Sequence, residues 1–452
     1  MSDTFDLDIQ HLRIGLHVQL DLGWMAHPFP LNSFRLASAE QIETLRGLGL
    51  RQVRVVASRS LPAALHALVD EGVIDAGQAP PREPAPRAVA VAAVRPQPPD
   101  PAEEERQRRR AQQAAEQECL AQAERAYAEA GRGLRRCFEL VRSQPQAARE
   151  QCEAQVRDYL DLVLGAQEMA IRLLGEGAGD RASMHAINVT VISLLLGKAL
   201  GLPEEAMQEL GVGAMLHDVG KLDLPERVRW LDPTTALVSV HERQYYQEHV
   251  ALGVVVGKQM TLSPGALLVL AQHHELADGN GFPLKLAGER ISLPARIVAL
   301  VNRYDNLCNP ASPAHAHTPH EALSLMYAQM KPQFDAAVFA AFVRMMGVYP
   351  PGSVVQLSDD RYALVTTVNS SRPLKPRVLV HEPRAGRDTA SSVDLEQAPG
   401  LSIRRSLKPQ HLPRAALDAL SPRPRVCYFF ERARELEFTA SATDARARKE
   451  VA

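Results

Sequence analysis

The chain has 452 residues, 46% of them hydrophobic and 23% charged. That is enough apolar material for at least two globular domains with real cores, and it excludes a disulfide-stapled miniprotein, a fibrous chain and wholesale disorder. Lys and Arg number 51 against 53 Asp and Glu, a formal net charge of −2, so nothing draws the whole molecule to nucleic acid or an anionic membrane, and anion recognition must be local.

The first residues, MSDTFDLDIQ, are acidic and lack the basic-then-apolar order of a secretory signal. No apolar run approaches the roughly eighteen residues that span a bilayer, so no membrane insertion is expected. Five Cys without a CxxC pair read as reduced thiols of a cytoplasmic protein. Residues 1–75 mix alternating stretches (13–20 and 52–56) with a helix-like segment at 39–48, which predicts a small α+β domain. Eight prolines between Pro80 and Pro101 make 76–101 an extended linker. From 102 to 174, Ala, Glu, Gln, Arg and Leu dominate and predict one or two long helices, a helical connector. Its basic cluster at 106–110 reads as a solvated helix face, because acidic residues one turn away can pair with it. Amphipathic helices of this kind commonly bury a face against a partner, which suggests a homodimer through the connector.

Residues 175–346 are apolar, helix-periodic and rich in His, a helical domain. Leu202-Pro203-Glu204-Glu205 opens a helix that runs to Leu216 and delivers His217 and Asp218 at its end. After Pro350-Pro351-Gly352 the pattern turns to short alternating runs, at 353–357, 362–368 and 377–380, so 347–452 is a β-rich extension and tail. The fold class expected is therefore multidomain: an all-α catalytic domain between a small α+β domain and a small β-rich segment.

Six of the fifteen histidines fall between 185 and 274: His185, His217, His241, His249, His273 and His274. Imidazoles and carboxylates are the usual ligands of Mn, Fe and Zn, and gathering them has a burial cost that a metal can offset. In His217-Asp218-Val219-Gly220-Lys221 an Asp carboxylate can bridge two ions, and Lys221 supplies a compact cation for a phosphate oxygen. In His273-His274-Glu275-Leu276-Ala277-Asp278-Gly279-Asn280-Gly281-Phe282-Pro283 two successive imidazoles precede a glycine-rich turn that could approach a substrate closely. His241 has no motif around it and reads as a surface residue. His315, His317 and His320 read as a solvated loop, and Cys308 as a small buried apolar residue. Glu275 and Asp278 are open between partners of the histidines and turn-formers.

With His185 in MHAINV, HDVGK at 217–221, His249 in QEHVALG, HHELADGNGFP at 273–283 and the helix around Arg296, residues 175–346 resemble the HD-GYP phosphodiesterases of the HD metal-dependent phosphohydrolases. Residues 12–50 resemble the small domain that often precedes them. The resemblance implies an all-helical HD domain with two divalent ions, Fe or Mn ahead of Mg, Ni or Zn. It also implies hydrolysis of cyclic dimeric guanosine monophosphate to the linear dinucleotide, and on to GMP, by a metal-bridging hydroxide. Carried over by position, the ligands are His185, His217, Asp218, His249, His273, His274 and Asn302. Asp218 and Lys221 are then the catalytic pair, and Lys221, Gly281, Phe282, Pro283, Lys285 and Arg303 are substrate contacts.

The chain departs from that family in four places. Gly-Tyr-Pro is Gly281-Phe282-Pro283, which loses only a hydroxyl. An aspartate ligand is matched by Asn302, which brings no charge. Arg181 stands where three-metal members carry glutamate, which favours a two-metal centre. The Arg and Lys that hold substrate phosphates are missing from 305–313, so the grip must be rebuilt, with Arg303 and Lys285 as candidates. These changes leave open a catalytically weak signalling protein that binds the dinucleotide or a protein partner, or hydrolysis of another phosphate ester. No DNA or RNA partner is implied.

Overall fold

A computed structural model describes residues 3–21, 29, 32–75, 79–80, 101–165, 168–175, 181–231, 238–369, 372–383 and 389–432, with 101–109, 111–113, 115, 389 and 432 as backbone alone. Most of the expected proline-rich linker lies outside these residues. The chain divides into two compact units, Met1–Cys119 and Leu120–Ala452.

In the first unit the strands β1 (Thr4–Asp8), β2 (His17–Gln19), β3 (Ser33–Arg35) and β4 (Gln52–Val56) form an antiparallel sheet in the order β1-β4-β2-β3. Alternation sets its register: Leu7 faces Val53, and Val18 faces Val55. These side chains bury against Ile42 and Leu45 of helix α1 (Ala39–Gly47) and Leu65 and Leu68 of α2 (Pro62–Asp70). Alternation over 13–20 yields only three residues of strand, because Gly15 at φ 100° turns the chain first.

The second unit is built from α3 (Pro101–Leu140), which crosses the division, α4 (Pro145–Leu164), α5 (Arg181–Ala199), α6 (Glu204–Leu216), α7 (Glu226–Arg229), α8 (Val240–Gln259), α9 (Pro264–Gln272), α10 (Leu293–Cys308), α11 (Pro319–Leu325) and α12 (Ala336–Met346). Their starts are written in the sequence. Ser239 and Thr318 form capping boxes with Glu242 and Glu321, and Ser263 and Ser292 cap helices that open on Pro264 and Leu293-Pro294. Helix α5 is the central core helix. It is long and apolar enough to span a membrane, contrary to the expectation that no stretch would be, yet 83% of that window is buried within the protein.

From Ala123 to Cys137 the apolar stripe of α3 is buried in its own chain, through Tyr127, Leu134 and Cys137. The face that suggested a partner helix is thus already covered there. The helical run expected to reach 174 also needs correcting at its end, since Met169–Leu173 is a strand, β5. With Ala, Met and Leu it has a helix former's composition, and only its partners make it a strand. It lies between β7 (Tyr362–Asn369) and β11 (Tyr428–Arg432) in a seven-stranded antiparallel sheet that includes β6 (Val354–Leu357), β8 (Arg377–Glu382), β9 (Thr389–Asp394) and β10 (Ile403–Leu407), with helix α13 (Arg414–Leu420) alongside. Arg172 of β5 pairs with Glu431 of β11, and Phe429 and Phe430 meet Tyr127 and Tyr159 edge-on at 5.4–6.0 Å. The C-terminal strand is therefore packed into the helical domain.

Candidate metal centre

Four helices deliver the histidines to one place. His217 caps the C-terminus of α6 with Asp218 next to it, and His273 caps α9 with His274 following. Helix C-termini carry partial negative charge and favour cations. His185 comes from the second turn of α5 and His249 from the middle of α8. Two glycines make the approach possible. A Cβ on Gly220 would lie 2.0 Å from the carbonyl oxygen of His249 and 2.4 Å from Gly253 N, so backbone contact there fixes His249 beside Asp218. A Cβ on Gly281 would meet Glu275 and His274 backbone at 2.6 Å, which lets the following ring fold back onto the histidines.

The hydrogen bonds fix the tautomers. The Nδ1 atoms of His217, His249 and His273 donate to the carbonyls of Ala214, Tyr246 and Leu270 at 2.7, 2.6 and 2.9 Å, and His185 Nδ1 donates to Asp305 Oδ2 at 2.6 Å. A neutral ring so anchored has a bare lone pair on Nε2. Yet Nε2 of His185 lies 3.1 Å from that of His217, and Nε2 of His249 lies 3.3 Å from that of His273. Lone pairs so placed repel unless a cation takes them.

Asp218 stands between the two pairs. Its Oδ1 is 3.5 and 3.8 Å from His249 and His273 Nε2, and its Oδ2 is 3.5 and 3.7 Å from His217 and His185 Nε2. Asp218 Oδ1 and His274 Nε2 are buried with no hydrogen-bond partner among the described residues. Donors about 2.0–2.2 Å from a divalent ion sit at such mutual distances. The donor set therefore fits a metal, in two groups that share one carboxylate: Asp218, His249, His273 and His274, and His185, His217 and Asp218.

The electrostatics prepare the ligands. Burial, helped by Lys221, holds the His249 imidazole down to about 4, and burial followed by neighbouring imidazoles pushes His273 and His274 well below the usual range, so all three stay neutral. Burial works to raise the Asp218 carboxyl, but Lys221 and His217 outweigh it and hold it well below the ordinary value. Lys221 is raised in turn by Asp218 against its own burial; its Nζ is 2.6 Å from Asp218 Oδ2 and 5.0 Å from the Tyr246 ring centre.

Asp305 escaped the sequence reading. It is fully buried, orients His185, and takes amide hydrogens on Oδ1 from Asn188 and Asn309 at 2.8 and 2.9 Å. Those two amides also grip the backbone of Val426 and Tyr428 at 2.8–2.9 Å, which ties His185 to the segment leading into β11. The spacing of Asn302 and Asp305 on α10 and of Asn309 at its C-cap was the available signal.

A cavity of about 620 Å³ opens on the histidines, lined among others by Arg181, Lys221, Trp230, Phe282, Asn302 and Arg303. Asn302 is buried, and its Oδ1 accepts from Asn306 Nδ2 at 2.6 Å. Phe282 stacks on His274 with ring centres 4.4 Å apart, so the ring face, which a tyrosine would share, makes the contact. Pro283 and Lys285 are not among the lining residues. Glu275 ties the backbone N–H groups of Leu284 and Leu286 at 2.7 and 2.8 Å and leaves Lys285 on an exposed turn at φ 54°. Glu275 is thus a loop anchor, and Asp278 a turn-former that accepts from Asn280 N. His241 is exposed; His315 is exposed too, and it and the half-buried His317 line the cavity. Burial raises the Cys308 thiol well above its usual value, as an inert core residue requires.

Residues 165–338 match the model of the HD domain family. The central segment is an HD domain. Residues 5–152 match a domain of unknown function, DUF3391. The chain is 28% identical over 391 residues to a cyclic di-GMP phosphodiesterase of Pseudomonas aeruginosa, covering 83% of this chain and 84% of that protein. It is 34% identical over 152 residues to the cyclic di-GMP phosphodiesterase response regulator RpfG of Xanthomonas campestris, 33% of this chain and 39% of that one. It is 26% identical over 208 residues to a 3′3′-cGAMP-specific phosphodiesterase of Vibrio cholerae, 44% of this chain and 47% of that one. HD domains are metal-dependent, and the His/Asp cluster described above has the donors to hold a metal ion.

Proposed function

We propose that the protein is a metal-dependent phosphodiesterase that opens cyclic dinucleotides, with cyclic di-GMP as substrate and the linear dinucleotide as first product. The observation that carries this reading is the shared carboxylate, with one oxygen of Asp218 toward His249 and His273 and the other toward His185 and His217. Relatives that act on cyclic di-GMP and on cGAMP support the substrate class. In this reading His185, His217, Asp218, His249, His273 and His274 would hold two divalent ions, and Asn302 would offer a neutral oxygen. Iron or manganese suits such mixed nitrogen and oxygen donors. Ions bound there supply a nucleophilic water at neutral pH and neutralise charge on the phosphoryl oxygens.

The chain's own residues do the rest. Lys221, a cation on the cavity wall beside Asp218, holds a non-bridging phosphate oxygen. Phe282 keeps His274 in place by stacking, and Asp305 fixes the ring of His185. The test is incubation of Fe- or Mn-loaded protein with cyclic di-GMP and, separately, 3′3′-cGAMP, with the linear products followed by chromatography. Linear product that disappears in His217→Ala is expected; its absence from the loaded wild type contradicts the reading. Asn302 favours one second reading, a weak or inactive enzyme that binds the dinucleotide as a signal, because a ligand without charge weakens its half of the site. Binding without linear product would select it.

A further inference from the structure

The wall of the cavity carries a cation that has no counter-charge among the described residues. Arg181 opens α5 one helical turn before His185, and both line the cavity. It is half-buried. Its guanidinium lies 4.8 Å from the Trp230 ring centre, and Nη2 makes one long bond, 3.4 Å, to the carbonyl of Asn309. Among the described residues no carboxylate pairs with it. Burial and then Arg425 act against its charge, with only weaker attraction from Asp305 and Asp218, yet a guanidinium stays protonated. It also sits at the positive end of its own helix, where a cation is disfavoured. Other cations of the cavity are engaged: Lys221 with Asp218, and Arg229 with the carbonyls of Leu222 and Leu224.

We propose that Arg181, braced on the face of Trp230, is the anion anchor of the cavity and binds the phosphodiester of a cyclic dinucleotide that is not being cleaved. The inference rests on the function proposed above and adds a residue to it. A cyclic dinucleotide carries two phosphodiesters on opposite sides of its ring. With one at Asp218 and Lys221, the other needs a separate counter-charge, and the planar fork of arginine suits a phosphate. The anchor replaces the cations that are missing from 305–313.

The test uses metal-loaded full-length protein and calorimetric titration with a hydrolysis-resistant phosphorothioate of cyclic di-GMP and with inorganic phosphate. Arg181→Gln should weaken the cyclic dinucleotide by about ten- to a hundredfold, and phosphate, which needs only the metal side, by less than about threefold. Metal content and melting temperature establish that the variant is folded and loaded, and Arg181→Lys should recover part of the loss. Equal affinity of Arg181→Gln and wild type for the dinucleotide overturns the anchor alone. Equal losses for both ligands also overturn it, by moving Arg181 to the metal side. A wild type that binds no cyclic dinucleotide overturns the function on which the anchor rests.

Discussion

The two halves of the donor cluster are built differently. His249, His273 and His274 come from two neighbouring helices and the residue after one of them, are braced by Phe282, and with Asp218 make a four-donor group. His185 and His217 with Asp218 make only three, and Asn302, which lines the same cavity as His185, brings no charge. The first half is held by local structure. The second depends on Asp305, and through Asn188 and Asn309 on backbone some 240 residues further along the chain. The difference teaches that one site can have a self-sufficient half and a half whose geometry is borrowed from the C-terminal strand.

The largest break expected is Asp218→Ala. Removing the shared carboxylate should empty both halves and lower turnover by at least about a thousandfold, measured as linear product and metal per chain. Gly220→Ala comes next, because its Cβ would collide with the carbonyl of His249. Overpacking against backbone should cost about 1–3 kcal/mol and lower the melting temperature by several degrees, with loss of metal from the His249 half first. Asp305→Asn should spare that half and weaken metal at His185 by about ten- to a hundredfold, which a metal titration would read as loss of the weaker of two binding events. Asn302→Asp should do the reverse and tighten the same event by about tenfold. Phe282→Tyr should change turnover by no more than about twofold, because the ring that stacks on His274 is retained.

Much of this is legible in the sequence. The HDVGK and HHELADGNGFP segments carry residue types that only a metal or a tight turn requires, and Gly220 and Gly281 prove to be places where a Cβ cannot fit. The helix start at Pro203-Glu204-Glu205 was equally readable, since Pro and carboxylates act within the first turn. Asp305 was not, because beyond its spacing to Asn302 and Asn309 a carboxylate in an apolar helix gains meaning only from Asn188 and Val426, both distant in sequence. Strand β5 was hidden for the same reason: its identity is set by pairing with β7 and β11. Lys285 misled because spacing alone cannot say that Glu275 pins the residues on either side of it.

The central claim is that Asp218 joins two metal positions. Titration of metal-free protein with Mn(II), followed by electron paramagnetic resonance, tests it most directly. Two binding events that end in a spin-coupled pair are predicted. A single isolated Mn(II), or two uncoupled ones, would contradict the account.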